Sequence, residues 1–247
     1  MGVIRAAIRF LFFILWTIYI VASILWVSLW AKDKWVVGIR KRRQWANGIR
    51  RLLGIKIIKK GKANYKNVLF LSNHRSYIDP VGKVIDIDAL ILAKAEIRSW
   101  PIIGYGASLA GVYFVKREAQ ESRAKARKAM AHTIKNGQSI LVYPEGTTTD
   151  LPQTLPFKPR TFQIAAANNV EIVPIAIEYK DPKDAWIGDD TFVRHFFQTF
   201  AKKEIVCAIH YGPPMWEADG EALRHKVRDW VNSTLIEIRK DWNLPLN

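Results

Sequence analysis

Three short polar segments of the sequence carry residue types that can do chemistry, and the first is NHRSYID at residues 73–79. His74 follows an apolar run, and Asp79 stands five positions later. A carboxylate that holds one ring nitrogen of a histidine fixes its tautomer, so that the other nitrogen can take a proton from a hydroxyl. The same residues also suit a capped loop, in which Ser72 or Asn73 caps a helix and Asp79 adds charge to its first turn. These seven residues alone leave both interpretations open.

The other two polar segments are YPEGTTTD (143–150) and GVYFVKRE (111–118). Glu145 and Gly146 place a carboxylate on a tight turn, and Thr147 begins a run of threonines that offers donors to an anion or a polyol. Lys116 and Arg117 close the other segment, and an arginine can fork onto a phosphate. Each segment alone also fits an ordinary loop or a solvated strand end. Side by side at one edge of a sheet, the three segments would form one site.

Short strands that alternate with helices are predicted to position these segments. Apolar runs bounded by turn formers predict strands at residues 67–72, 89–94, 111–116, 139–143, 170–179 and 204–211. Helices are predicted after Asp79, at 118–136, from about Arg160, and at 221–241. This alternation is typical of an α/β fold with a mostly parallel central sheet flanked by helices. Ligands of such sheets bind beyond the carboxyl ends of the strands, which is where the polar segments fall.

The N-terminal region is predicted to be a membrane helix. Residues 10–31 carry no charge over 22 positions, and about 20 apolar residues are needed to cross a bilayer core. A cleavable secretory signal is the alternative, but its apolar region is only about 7 to 15 residues long. Basic residues are much denser after this segment than before it, where Arg5 and Arg9 stand. We therefore expect a protein of the inner (cytoplasmic) membrane, with its folded domain on the cytoplasmic face.

The net charge of +16 is concentrated behind this helix, since twelve basic residues and one acidic residue lie between Lys32 and Lys62. Such a stretch favours anionic lipid headgroups or nucleic acid. Apolar residues at spacings of three and four within it predict a basic amphipathic helix on a membrane surface, or a helix docked on the domain. We assign residues 1–62 to membrane anchoring and 63–247 to an α/β domain, and expect membrane lipids rather than nucleic acid as partners.

Several other classes of site are disfavoured by residue counts and spacing. Cys207 is the single cysteine, which excludes a disulfide framework and a cysteine-based zinc site. The histidines outside the first segment show no ligand spacing: His132, His195, His210 and His225. We therefore expect neither a metal nor another cofactor. The segment GASLAG at 106–111 has a serine between glycines but lacks the spacing of a nucleophile elbow.

Four blocks of the chain, in order, resemble the glycerolipid acyltransferase family, the 1-acyl-sn-glycerol-3-phosphate and lysophospholipid acyltransferases. The blocks are an N-H-x-x-x-x-D motif at NHRSYID, an aromatic strand ending in arginine at GVYFVKR, a P-E-G-T motif at PEGTT followed by LPFKPRTF, and a V-P-I strand at VPIAI. They extend over roughly residues 65–180, and their common order is far more specific than any single block.

The resemblance implies a mechanism in which His74, oriented by Asp79, takes the proton of a lysolipid hydroxyl as it attacks the thioester of acyl-CoA or an acyl carrier protein. No acyl-enzyme and no metal are implied. It also implies a substrate-binding role for a set of residues around the pair: Asn73, Lys116, Arg117, Glu145, Gly146, Thr147, Lys158 and Arg160. The expected acceptor is 1-acyl-sn-glycerol-3-phosphate, and the product would be phosphatidic acid.

Two departures from the family pattern bear on that acceptor. Thr148 stands where many members carry a phosphate-binding arginine, and Arg160 stands where glycine is common. Variants with E-G-T-T resemble members that act on other lysolipids, including lysophosphatidylcholine-type and lyso-ornithine acceptors. Lyso-ornithine lipid or another lysophospholipid is therefore the alternative acceptor. Two further alternatives are a hydrolase, in which the His–Asp pair activates water, and a non-enzymatic basic membrane-binding protein.

Overall fold

The computed structural model describes residues 1–115, 130 and 132–246. The strands are β1 (Ile55–Lys60), β2 (Leu69–Ser72), β3 (Ala89–Lys94), β4 (Val112–Val115), β5 (Ser139–Val142), β6 (Ile172–Tyr179) and β7 (Ile205–Tyr211). The α-helices with defined bounds are α1 (Gly2–Ser28), α2 (Lys34–Leu52), α3 (Asp79–Lys83), α4 (Ile103–Leu109), α5 (Arg160–Ala167), α6 (Phe192–Phe200) and α7 (Gly220–Asp241). The predicted helix at 118–136 lies mostly outside the described residues.

The described strands form one sheet in the order β1-β7-β6-β2-β5-β3-β4. Five neighbouring strands, from β6 to β4, run parallel to one another. The reversal occurs between β6 and β7, which are antiparallel, and β1 is parallel to β7. The predicted α/β fold with a mostly parallel sheet is confirmed. Because β2, β5, β6 and β3 are parallel, their carboxyl ends meet at one edge of the sheet.

Helices cover both faces of this sheet, and the alternation of side chains along the strands produces two cores. Phe70 of β2 lies in a core with residues of α1, α2 and α6. Its neighbours Leu69 and Leu71 point to the other face, where they lie in a core with residues of α5 and α7. All three side chains are fully buried. Such continuous apolar strands are expected where a parallel sheet is covered on both faces.

The strand β1 lies within the stretch that the sequence pattern assigned to membrane anchoring, residues 1–62. It pairs with β7 along its length, from Ile55 opposite Ile205 to Lys60 opposite His210. Its burial pattern explains why it was not predicted, because beyond Ile55 the strand is largely exposed and rich in lysine. Such charged residues are typical of an edge strand that avoids pairing with another chain. The sheet therefore begins before residue 63.

The helix α1 docks on the domain along one face and leaves the opposite face exposed. Its buried residues recur at helical spacing: Ala6, Phe13, Thr17, Ile20 and Ile24. Arg5 and Arg9 bind the end of α6, since Arg5 Nη1 donates to the Ala201 carbonyl at 2.8 Å and Arg9 Nη1 to those of Phe200 at 3.0 Å and Lys202 at 2.7 Å. Among the described residues, α1 is the helix long and apolar enough to cross a membrane.

The basic helix α2 packs between α1 and the sheet. Asp33 caps its first turn, because its carboxylate accepts from the backbone N–H groups of Trp35 at 2.9 Å and Val36 at 3.2 Å. Trp16 of α1 donates its ring N–H to the Trp45 carbonyl at 3.1 Å. One face of α2 is buried in the domain while most of its basic residues remain exposed. Docking on the domain and an exposed basic surface thus coexist in this helix.

Candidate active site

The carboxyl end of β2 brings His74 and Asp79 into direct contact. His74 lies two residues beyond β2, and Asp79 is the first residue of α3. The Nδ1 atom of His74 is 2.7 Å from Oδ2 of Asp79. With Asp79 ionised, Nδ1 carries the proton and donates it to the carboxylate. The other ring nitrogen, Nε2, is then the atom of His74 that can accept a proton.

Asp79 is fully buried, and its surroundings favour the ionised form. Burial raises the pKa of this carboxyl group, but the ammonium of Lys83 and hydrogen bonds from His74 and the Arg75 N–H outweigh it and hold the pKa below its usual value. The Arg75 N–H lies 2.7 Å from Oδ2, and the Tyr179 hydroxyl donates to Oδ1 at 2.8 Å. Asp79 is therefore a fixed, charged partner of His74.

Lys83 and Tyr143 support this pair from within the protein. Lys83 is fully buried, and its Nζ has no hydrogen-bond partner among the described residues. The Nζ atom lies 4.7 Å from the centre of the Tyr143 ring, and that ring stacks on the His74 ring with centres 4.1 Å apart. Burial lowers the pKa of Lys83 to about 8, and the carboxylate of Asp79 opposes this shift. At neutral pH the buried Lys83 side chain is thus a charged ammonium close to the His74–Asp79 pair.

Glu145 ties the loop after β5 to the His74 backbone. Its Oε1 accepts from the His74 N–H at 2.8 Å, and its Oε2 accepts from the Leu155 N–H at 2.8 Å. A second link runs from the Thr149 N–H to the His74 carbonyl at 3.1 Å. Burial raises the pKa of Glu145 to about 7, although both N–H donors favour its charged form. Glu145 thus positions the backbone of His74.

A cavity of about 520 Å³ borders His74 and extends between the sheet and helices α1, α2, α4 and α6. Its lining is polar at the carboxyl edge of the sheet, where His74, Thr147, Thr148 and the ion pair of Lys94 and Glu96 contribute. The rest of its wall is mainly aliphatic and aromatic, with Arg42 as an exception. A histidine base at one end of a long apolar cavity suits a reaction on a polar group attached to a hydrocarbon chain.

A model of the Acyltransferase family matches residues 54–178, which is half of the chain. The chain belongs to the Acyltransferase family. Its match includes the His74–Asp79 pair, the loop around Glu145 and strands β1 to β5. The resemblance seen in the four sequence blocks is therefore confirmed.

Individual members of the family and one solved structure are similar to this acyltransferase. The lyso-ornithine lipid O-acyltransferase of Pseudomonas aeruginosa is 31% identical over 181 residues, 69% of each chain. The 1-acyl-sn-glycerol-3-phosphate acyltransferase of Neisseria gonorrhoeae is 28% identical over 129 residues, 52% of this chain and 51% of that protein. The crystal structure of the 1-acyl-sn-glycerophosphate acyltransferase from Thermotoga maritima matches 97% of this chain and 98% of that one, with a TM-score of 0.74 and 20% identity. That last likeness concerns the fold.

Asn73, a predicted substrate contact of the acyltransferase, is fully buried in the structure. Its side-chain amide donates to the Ile177 carbonyl at 2.9 Å and accepts from the Ile177 N–H at 2.8 Å. The amide thus extends the pairing of β2 and β6 beyond the last strand bonds. This geometry gives Asn73 a structural role at the base of the site, and its contact with substrate stays a prediction.

The remaining predicted substrate-binding residues occupy different positions relative to the cavity. Thr147 lines the cavity. The preceding residue, Gly146, has a left-handed backbone conformation with φ of 77°. An added Cβ at Gly146 would clash with Nζ of Lys158, which places that ammonium next to the turn. Arg160 is exposed at the start of α5 and does not line the described part of the cavity. Lys116 and Arg117 lie outside the described residues.

The structure adds site residues that the sequence motifs did not indicate. Lys94 ends β3 and lines the cavity on the same edge as His74. The strand predicted at 89–94 ends with Lys94. The rule that polar residues at the carboxyl ends of strands are candidate site residues would therefore also have identified Lys94. Tyr143 directly follows the apolar strand β5, and Tyr179 is the last residue of the apolar strand β6. An aromatic residue at such a position is expected by default to pack in the core. Their contacts with His74 and Asp79 depend on strand order, which the sequence does not display.

Proposed function

We propose that this acyltransferase moves a fatty acyl group from a thioester to the hydroxyl of a lysolipid. The observation that carries the proposal is the buried, charged Asp79 bound to His74 at the polar end of a cavity with apolar walls. The named relatives act on lysolipids, which agrees with such a cavity. The hydrocarbon of the donor would occupy the apolar part, and the reacting atoms would meet at Nε2 of His74.

In the proposed reaction the lysolipid oxygen attacks the thioester carbon while His74 Nε2 takes the hydroxyl proton. The imidazolium that forms is stabilised by Asp79, which stays ionised. A new C–O bond forms, the C–S bond breaks, and the proton on His74 passes to the departing thiolate. These reaction steps need neither an acyl-enzyme intermediate nor a metal or other cofactor. The backbone N–H groups of Thr147 and Thr148, two residues that line the cavity, are candidate donors to the oxyanion.

We propose that α1 and α2 hold this site at the surface of a lipid bilayer. The face of α1 that points away from the domain carries exposed apolar side chains along its length: Ile4, Ile8, Leu11, Phe12, Leu15, Ile18, Leu25 and Trp26. The exposed basic residues of α2 suit anionic headgroups. The charge distribution supports the cytoplasmic face of the inner membrane as the location of the domain.

Two acceptors fit this proposal, and a different observation favours each of them. Thr148 is uncharged, and its hydroxyl donates to the Trp186 carbonyl, so it does not replace a phosphate-binding arginine. This favours lyso-ornithine lipid, the substrate named for the relative that matches 69% of the chain. Relatives named 1-acyl-sn-glycerol-3-phosphate acyltransferase favour 1-acyl-sn-glycerol-3-phosphate, and Lys94 at the polar end of the cavity could meet its phosphate only in competition with Glu96, to which Lys94 is paired at 3.6 Å.

The purified protein in lipid vesicles tests the proposal directly. Acyl-CoA and acyl carrier protein donors are each supplied with lysophosphatidic acid, with lyso-ornithine lipid, or without acceptor. We expect acylated product only when an acceptor is present, and loss of product in His74→Ala. His225→Ala, which removes an exposed histidine of α7, is the matched control and should retain full activity. Free fatty acid released at full rate without acceptor would show a hydrolase instead.

A further inference from the structure

Three polar side chains of the C-terminal helix α7 bind the segment 154–157, which follows the loop that contains Glu145. The three recur at intervals of four residues and therefore lie on one face of the helix: Arg224, Arg228 and Asn232. Nη1 of the first donates to the Phe157 carbonyl at 3.0 Å. The helix α7 lies outside residues 54–178, the part of the chain that the Acyltransferase family model matches. The family resemblance therefore gave no indication of these contacts.

Thr154 is bound by two of these side chains through its N–H, its carbonyl and its hydroxyl. Its N–H donates to Oδ1 of Asn232 at 2.9 Å. Arg228 donates from Nε to the Thr154 hydroxyl oxygen at 3.1 Å and from Nη2 to the Thr154 carbonyl at 2.9 Å. Both of these bonds come from one edge of a rigid, planar guanidinium. Because Thr154 is also buried, its position relative to α7 is fixed.

The segment that α7 binds reaches the backbone of His74 through Glu145. Leu155, the residue after Thr154, donates its N–H to Oε2 of Glu145 at 2.8 Å. Oε1 of the same carboxylate accepts from the His74 N–H at 2.8 Å. A single carboxylate therefore joins the segment to the main chain of the base. A shift of Thr154 would remove one of the two N–H groups that hold this carboxylate.

The end of α7 reaches the same loop by a second route. Nη1 of Arg239 donates to Oε2 of Glu178 at 2.8 Å, and this oxygen also accepts from Nη2 of Arg75 at 3.0 Å. All three of these charged side chains are buried. Arg75 is next to His74 in the chain, and its Nη1 donates to the Thr149 carbonyl at 2.8 Å. Two hydrogen-bond networks from one helix thus converge on the backbone around His74.

We propose that Arg228 and Asn232 are positioning residues for acyl transfer, because they fix the segment on which the position of His74 depends. The inference rests on the proposed function, since it takes His74 as the base. Neither Arg228 nor Asn232 lines the described part of the cavity, so their effect on the reaction is indirect. A misplacement of a catalytic group by about 1 Å can lower the rate by about 100-fold. A small movement of the segment is therefore enough to be measured.

The experiment compares Asn232→Leu with Asn232→Asp in acyl transfer to one lysolipid, measured well below the thermal midpoint of each variant. Leucine is similar in size but offers no acceptor to the Thr154 N–H, whereas aspartate keeps the accepting oxygen. We expect Asn232→Leu to lower kcat by about 10- to 100-fold with little change in KM. Asn232→Asp should restore most of the wild-type kcat.

Two further variants separate this role from a general effect of changing α7. Arg228→Lys keeps the positive charge but cannot form both bonds of the guanidinium edge, so it should lose part of kcat. Ser233→Leu introduces the same side chain at the next position, which is exposed, and should leave kcat unchanged. A purely structural role of Asn232 would lower the thermal midpoint of Asn232→Leu and leave kcat of the folded protein as in the wild type.

Amide hydrogen exchange at single residues gives a readout that does not depend on turnover. In Asn232→Leu the amides of His74 and Leu155 should exchange faster, while those of β7 should exchange as in the wild type. Unchanged kcat in folded Asn232→Leu, or a fall in kcat without faster exchange at His74, would overturn the proposal. If Asn232→Leu does not fold, Arg228→Lys is judged by the same two outcomes. Full activity in His74→Ala would instead contradict the proposed function.

Discussion

The buried ammonium of Lys83 should control the pH at which the His74–Asp79 pair becomes active. We predict that Lys83→Met moves the acid limb of the pH profile of kcat/KM to higher pH. The reason is electrostatic: a positive charge next to the pair opposes its protonation, and protonation removes the base. Methionine keeps an unbranched apolar stem of similar length but carries no charge.

The size of the effect follows from the geometry. The Nζ–Tyr143 distance of 4.7 Å and the Tyr143–His74 distance of 4.1 Å place Nζ no more than about 9 Å from the His74 ring. At an effective dielectric constant of about 20, two unit charges at this distance interact by about 1.8 kcal/mol. Since about 1.4 kcal/mol corresponds to one pH unit, the acid limb should move by roughly one unit.

The assay is acyl transfer measured from acid to alkaline pH, with thermal unfolding as the test that each variant is folded. Lys83→Arg keeps the charge and should retain a profile close to that of the wild type. Lys60→Met removes an exposed charge on β1 and should not move the limb. Above about pH 8 the wild type loses the Lys83 charge itself, so its rate should approach that of Lys83→Met. An unchanged acid limb in a folded Lys83→Met variant would refute the reasoning.

Three further predictions concern the same site. Asp79→Asn should lower kcat by roughly 10²- to 10⁴-fold because an amide cannot stabilise the imidazolium, while Asp88→Asn on the surface should leave kcat unchanged. Asn73→Ala should lower the free energy of unfolding by about 2 kcal/mol or more in denaturant titrations, because it leaves the buried N–H and carbonyl of Ile177 unpaired; unchanged stability with a raised KM for the lysolipid would instead assign it to substrate binding. The pKa of Glu145 is raised by burial from 4.5 to about 7, so its contribution to stability is complete below about pH 4.5 and is lost as the pH rises through 7. Glu145→Gln cannot ionise, and its unfolding free energy relative to the wild type should therefore rise by up to about 3 kcal/mol between pH 4.5 and 8, whereas a constant difference would exclude this titration.

The parts of the site that could be predicted from the sequence are those that follow strands directly. His74 and Glu145 each come after an apolar run, and parallel strands carry their carboxyl ends to one edge. Asp79 is five residues from His74, so a single turn of chain suffices to bring them together. Local sequence and one topological rule were enough for these residues.

Other parts could not be predicted, because they depend on contacts between distant strands and helices. Asn73 appeared as a substrate contact or a helix cap, but its partner is Ile177, 104 positions away. β1 was missed because an exposed, lysine-rich edge strand lacks the apolar alternation that identifies a buried one. Arg42 was one of twelve basic residues in a segment predicted to meet lipid headgroups, and its burial depends on how α2 crosses the sheet.

The docking of α1 means that the proposed membrane anchor is also a wall of the enzyme's cavity. Phe13 and Ile20 are buried against the domain, and Phe13 packs on Phe196 of α6 with ring centres 5.7 Å apart. Removing the first 31 residues would open the cavity to solvent on that side and uncover part of the core. A shortened protein should therefore lose folding together with the proposed attachment to the membrane. The enzyme is best isolated with its N-terminal helix intact, in detergent or in lipid.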